Sequence, residues 1–193
     1  MRFLVLYAHP VPESFVAALH RTVVETLRRT GHEVDDCDLY AERFDPVLSY
    51  EERVHYLEVP ANRRAVEDYV RRVEQAEGLI LVFPVWNFGF PAILKGFLDR
   101  VFLPGVSFTL VDGLATPNLM HLKTLVAVTT YGAPRWRAFL LGDPPRRVVL
   151  RVLGVLVAPR ARRRYLALHD MNRQTPERRA AFLRKVERTI SGL

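Results

Sequence analysis

The feature that most restricts how this chain can fold is a recurrent alternation. Short, nearly continuous apolar runs are each followed by a stretch with helical periodicity. Residues 3–8, 79–83, 125–129 and 165–168 are such runs. A strand that is apolar throughout is covered on both faces, which is the habit of parallel sheets. Residues 33–39 alternate instead and read as a half-exposed strand. Helical spacing fills the gaps. Phe15, Leu19, Val23, Val24 and Leu27 place a helix over 14–29, stopped by Gly31. Val66, Tyr69, Val70 and Val73 place one over 62–76. Pro91 opens a third at a first-turn position and it runs to Phe102. Asp143-Pro144 opens a fourth to about Leu156, and Thr175-Pro176-Glu177 a fifth to about Ile190.

Repeated strand–helix units need right-handed crossovers and give a parallel sheet with helices on both faces. Five strands predict the order 2-1-3-4-5 in one domain over residues 1–193. Two segments break the rhythm. Residues 43–60 show no clear period. Residues 104–122 read as a hairpin insertion turning at Asp112-Gly113.

Charge is distributed unevenly. Residues 1–134 hold 13 basic and 17 acidic side chains, whereas 135–193 hold 15 basic and 4 acidic. A cationic region of this kind attracts phosphate, although the basic residues are almost all Arg and a plain compositional bias explains them equally well. Residues 160–164 carry Arg without interleaved aromatics, so nucleic acid is not an expected partner. No apolar run reaches the roughly 18 residues that span a bilayer. The N-terminal apolar run meets Pro10 before a signal core forms, so no targeting segment is expected. The lone Cys37 makes no internal disulfide, which suits a reducing cytoplasm. His55 and His121 lack metal-ligand spacing, and no metal site is expected.

In a sheet of this order, ligands bind beyond the carboxyl ends of the strands, where the order reverses. Three loops reach that place. The first, 9–15, ends in Ser14 at a helix N-cap, where free amides and the helix dipole favour phosphate. It has neither a Gly-x-Gly-x-x-Gly nor a Gly-Lys-Ser/Thr pattern, its Glu13 repels anions, and a cap serving only its own helix is the plainer use of Ser14. The second loop puts Trp86, Asn87, Phe88 and Phe90 after a buried strand, which suits a planar ligand or a satellite apolar cluster. The third, 129–134, offers Thr129, Thr130 and Gly132. Asp99 and Arg100 read as an exposed ion pair or a cap contact.

The run Phe-Gly-Phe-Pro-Ala-Ile-Leu-Lys-Gly-Phe-Leu-Asp-Arg-Val-Phe at 88–102 resembles the flavin loop of the NAD(P)H:quinone oxidoreductase (DT-diaphorase-like) family, whose fold is flavodoxin-like. The likeness extends to the His-Pro loop before Ser14-Phe15, to 105–108 and to Thr129-Thr130. It implies a non-covalent flavin that takes hydride from NAD(P)H and passes two electrons to a quinone or similar small acceptor. By the same resemblance, His9, Ser14 and Phe15 surround the flavin phosphate. Pro84, Val85, Trp86, Asn87 and Phe88 line its ring, and Thr129, Thr130 and Gly132 hold the far edge. Phe108 faces the substrate, from a partner subunit, and Tyr131 is expected to face it too, crowding or covering the ring. The chain departs from the family at Val16, where many members have Asn, and at Tyr131, where many have Gly. No residue matches the Tyr and His assigned to quinone protonation in mammalian members. Trp86-Asn87-Phe88 resembles the Tyr-Asn-Phe of FMN-dependent azoreductases, which favours FMN over FAD.

The apolar segment 144–156 and the hairpin insertion imply a homodimer. Two other roles share the fold: an electron carrier of the flavodoxin type, and a regulatory subunit of a potassium-efflux transporter, which would make that membrane transporter a partner.

Overall fold

A computed structural model describes residues 1–193. Strand β1 (Arg2–Tyr7) leads into helix α1 (Phe15–Arg29), then β2 (Glu33–Asp38). A short helix α2 (Tyr50–Val54), a 3-10 turn (Ala61–Val66) and α3 (Glu67–Gln75) precede β3 (Gly78–Val85) and α4 (Ala92–Val101). The hairpin β4 (Phe108–Val111) and β5 (Leu114–Pro117) comes next, then β6 (Thr124–Tyr131). Two short helices, α5 (Arg135–Leu140) and α6 (Pro144–Arg147), a π-helical turn (Val148–Leu153) and α7 (Gly154–Leu156) lead to β7 (Arg162–Leu168) and α8 (Pro176–Ser191).

The main sheet has the order β2-β1-β3-β6-β7, all parallel, and β4-β5 form a separate antiparallel pair. This is the 2-1-3-4-5 order expected from the sequence, with the hairpin inserted after the third sheet strand. β1, β3 and β6 are the central strands and carry almost nothing but buried residues. Their side chains alternate between two cores. Phe3, Val5, Ile80, Val82, Val126 and Val128 pack under α1 and α8. Leu4, Leu6, Leu79, Leu81, Leu125 and Ala127 pack under α3, α4 and the π-helical turn. The exposed edge at β2 is acidic, and Arg72 grips its Asp35 at 2.7 Å. Charge on an edge strand discourages pairing with another chain.

Segment 43–60 has no period because side chains, not periodicity, fix it. Ser49 and Glu52 form a capping box at α2. Arg100, 8% exposed, reaches from α4 to Glu52 at 2.7 Å and lies over the ring of Phe44. Arg100 is therefore not half of an exposed pair with Asp99, which instead pairs with Lys95 one turn away. Burial opposes the Glu52 charge, but hydrogen bonds from Ser49 and Arg100 prevail and hold its carboxyl below the usual range.

Other boundaries differ from the sequence expectation. Pro91 is the N-cap of α4, with φ −53° and ψ 144°, rather than its first helical residue. Segment 144–156 is helical but passes through a π-helical turn. Asp143 stands before it in a left-handed conformation and makes no cap hydrogen bond. Helix α5 was not expected at all.

Gly96 sits where α4 crosses Pro46, and a Cβ there would meet the Pro46 backbone. Helix propensity alone favours Gly96→Ala by roughly 1 kcal/mol. We expect the opposite sign: a loss of about 1–3 kcal/mol from overpacking, read from the urea unfolding midpoint.

Candidate functional site

The crevice lies at the carboxyl ends of β1, β3 and β6. Chain direction creates it: the segment after β1 turns into α1 on one face, and the segment after β3 leads to α4 on the other. A cleft of about 290 Å³ is lined by His9, Ser14, Phe15, Val16, Pro84, Val85, Trp86, Thr130, Gly132 and Met171. A second hollow of about 240 Å³ is lined by Val85, Asn87, Phe88, Tyr131, Gly132 and Ala133. Val85 and Gly132 belong to both, so the two adjoin.

At one end, Ser14 caps α1 by accepting a hydrogen bond from the Ala17 amide at 3.1 Å. The amides of Phe15 and Val16 have no partner, as expected in a helix's first turn. The loop has no glycine, yet Val11 donates its amide to His9 Nδ1 at 3.0 Å and Ser14 donates its own to the Val11 carbonyl. The His9 ring lies beside Trp86, with centroids 5.8 Å apart.

At the other end, Pro84 and Val85 finish β3 and the chain reverses over four residues. Trp86 and Gly89 exchange both backbone hydrogen bonds, at 3.2 and 2.8 Å. The two residues between them are left-handed, Asn87 at φ 50° and Phe88 at φ 56°. Positive φ at both central positions is the habit of a type I′ turn, which Asn suits and Phe does not. Phe88 thus holds a costly backbone shape that keeps its ring beside the hollow. The amides of Asn87 and Phe88 are unpaired.

Most of the residues singled out in the sequence meet here, and three sit differently. Thr129 is fully buried in β6, with its hydroxyl unpaired inside the protein, because its neighbour Thr130 takes the alternate face that lines the cleft. Tyr131, expected to face a substrate, is 1% exposed. Its hydroxyl donates to Asp143 at 2.6 Å and meets the Tyr165 hydroxyl at 2.6 Å, and its ring stacks on His169. Burial foremost, then the adjoining Tyr165 and Asp143, pushes its phenol far above the usual range. It is a tie between β6, β7 and the helical segment. Phe108 lines a separate apolar cavity of about 580 Å³ between α4, the hairpin and the π-helical turn. Phe88 borders both that cavity and the hollow. Met171 was missed, although it follows β7 at the same edge of the sheet where the rule about carboxyl ends points.

The family model for the flavodoxin-like fold matches residues 1–190. The chain belongs to the flavodoxin-like family. This family member is 35% identical over 148 residues to NAD(P)H dehydrogenase (quinone) 1 of Cavia porcellus, a match covering 68% of this chain and 54% of that protein. The chain thus spans about half the length of that curated relative. It superposes on the crystal structure of Smu.1420 from Streptococcus mutans UA159 with a TM-score of 0.88 and 30% identity, covering 100% of both chains. It also superposes on an FMN-dependent NADH-azoreductase from Bacillus anthracis, solved in complex with FMN, with a TM-score of 0.81, covering 99% of this chain and 98% of that one. At 13% identity the latter likeness is one of fold.

Burial lowers the pKa of His9, His32 and His169 below the ordinary imidazole value of 6.5. Folding therefore disfavours their protonation. The stability held by the neutral rings is present above pH 6.5 and is lost as pH falls through the lowered folded values. We expect urea midpoints to fall on acidification below pH 6.5, and the His9 ring signals to titrate by NMR with a midpoint under 6.5.

Proposed function

We propose that this chain is a flavin-dependent NAD(P)H oxidoreductase that passes two electrons to a quinone or similar small acceptor. The observation that carries the reading is the continuous crevice joining a helix end with unpaired amides to an aromatic turn held in a strained shape. The names of the quinone-type relative and of the azoreductase neighbour support it.

The residues present fit such a cofactor. The Phe15 and Val16 amides supply donors to a terminal phosphate, reinforced by the α1 dipole. The Ser14 hydroxyl accepts from Ala17 and still has its own proton to donate. His9, held neutral by burial, adds no charge there. Pro84, Val85, Trp86 and Phe88 present apolar surface to a flat ring and exclude water from it. The unpaired Asn87 and Phe88 amides offer donors to its polar edge, opposite Thr130 and Gly132. A flavin held there would supply two-electron redox chemistry between the reductant and the acceptor. A single phosphate suits the one helix end in the cleft, which favours FMN over FAD.

The same reading includes a homodimer. Trp136, Phe139 and Leu140 on α5, Leu114 on the hairpin and Val152 and Val155 beyond it are all more than half exposed. Apolar surface on this scale marks a contact area, and Phe108 beside it would border the partner's crevice.

Purified protein reconstituted with FMN should be yellow, be bleached by NAD(P)H, and reduce a benzoquinone with ping-pong kinetics. A protein that takes up neither FMN nor FAD and oxidises no NAD(P)H ends the proposal. Sedimentation at micromolar concentration should give about twice the 22.2 kDa chain mass, and a monomer there refutes the dimer.

A further inference from the structure

A cavity of about 550 Å³ opens behind the end of β6, lined by Arg135, Arg146, Arg147 and Arg151 together with Asp143 and His169. Its size falls within the range of small-molecule sites, roughly 300–1,000 Å³. Where arginines of this protein converge with carboxylates they are paired: Arg63 bridges Glu67 and Glu74, Arg72 bridges Asp35 and Glu42, and Arg100 holds Glu52. The four around this cavity make no ion pair and no side-chain hydrogen bond with the protein. Arg146 lies only over the ring of Tyr165, at 5.9 Å. The single carboxylate present, Asp143, is engaged by the Tyr131 hydroxyl. The His169 Nε2 is buried and has no partner.

Four guanidinium groups without an ion pair around one hollow repel each other, and the one carboxylate in the lining, Asp143, offsets only part of that charge. An anion offsets the rest. Guanidinium matches phosphate and carboxylate oxygens with paired N–H donors, and a phosphate brings more charge and more acceptor oxygens to share among four such groups. Position narrows the choice. Asp143 and His169 both touch the Tyr131 side chain, and Tyr131 also lines the hollow beside the aromatic turn. A molecule with phosphates in this cavity therefore lies next to the proposed redox crevice, with one residue between.

We propose that this cavity binds phosphate groups of the nicotinamide dinucleotide reductant. The proposal rests on the function proposed above, and it assigns a site to the strongly basic C-terminal third of the chain. Two sources of the phosphate share this chemistry: the pyrophosphate common to NADH and NADPH, and the 2′-phosphate of NADPH alone.

Calorimetric titration of the FMN-loaded full chain in phosphate-free buffer tests it, with adenosine, 5′-ADP and 2′,5′-ADP as probes. Both phosphorylated probes should bind and adenosine should not. Binding of 2′,5′-ADP at least tenfold tighter than 5′-ADP assigns the site to the 2′-phosphate, and comparable binding assigns it to the pyrophosphate. Arg147→Ala with Arg151→Ala should weaken binding at least about tenfold, since each lost charge-assisted contact accounts for that much or more. Arg160→Ala, an arginine outside the cavity, should leave it unchanged. In turnover, the double variant should raise KM for the reductant with kcat preserved. No heat with either phosphorylated probe overturns the proposal, as does full affinity in the double variant. Tighter binding of a single-stranded oligonucleotide than of 2′,5′-ADP also overturns it, in favour of a nucleic-acid backbone. The flavin spectrum separates the two proposals. A protein that holds flavin but ignores both probes loses this site and keeps its function. A colourless protein that still binds 2′,5′-ADP loses the function and keeps a phosphate site.

Discussion

The structure depends on β3 being hydrogen-bonded to β1 on one side and β6 on the other. That double pairing places the reversal of strand order beside the first strand. The segments leaving β1 and β3 must then separate onto opposite faces of the sheet, and a crevice is the geometric result. No side chain is needed to hollow it out. The protein's task is to avoid filling it, which it does by making the first loop compact and the second a tight reversal. The apolar alternation that builds the two cores and the opening at the carboxyl ends of the strands are thus consequences of one pairing pattern.

The sheet was legible in the sequence because its signal is local and repeated. Each central strand is an apolar run, and each long helix has its own stripe. Ser14, Gly31 and Thr175 are punctuation that any chain of this composition would obey. What was hard to read depends on contacts distant in sequence. Arg100 looked like a surface charge because Asp99 adjoins it in the chain, whereas its partner Glu52 is 48 residues away. Helix α5 is short and carries its large apolar residues outward, so no stripe announced it. The π-helical turn leaves no trace in a pattern read at 3.6 residues per turn.

The crevice shows the same division. Residues in tight sequence clusters, such as those after β1 and β3, come together as their neighbourhood suggests. Thr129, Thr130 and Tyr131 do not, because strand geometry sends successive side chains to opposite faces. Only Thr130 of the three has its side chain directed to the cleft between β1 and β3. Met171 is contributed by the 3-10 turn after the last sheet strand, which no motif linked to the others. The charge asymmetry was visible in composition, but the convergence of Arg135, Arg146, Arg147 and Arg151 on one hollow needs the turn at Gly142-Asp143, where both residues take positive φ.

The phenol of Tyr131 is in effect a party wall. Its backbone stands at the end of β6, where the aromatic hollow begins, while its hydroxyl is fastened to Asp143 on the basic side. The two compartments share this partition. The rooms therefore have one wall in common, and the mortar on the basic side is Asp143 and His169.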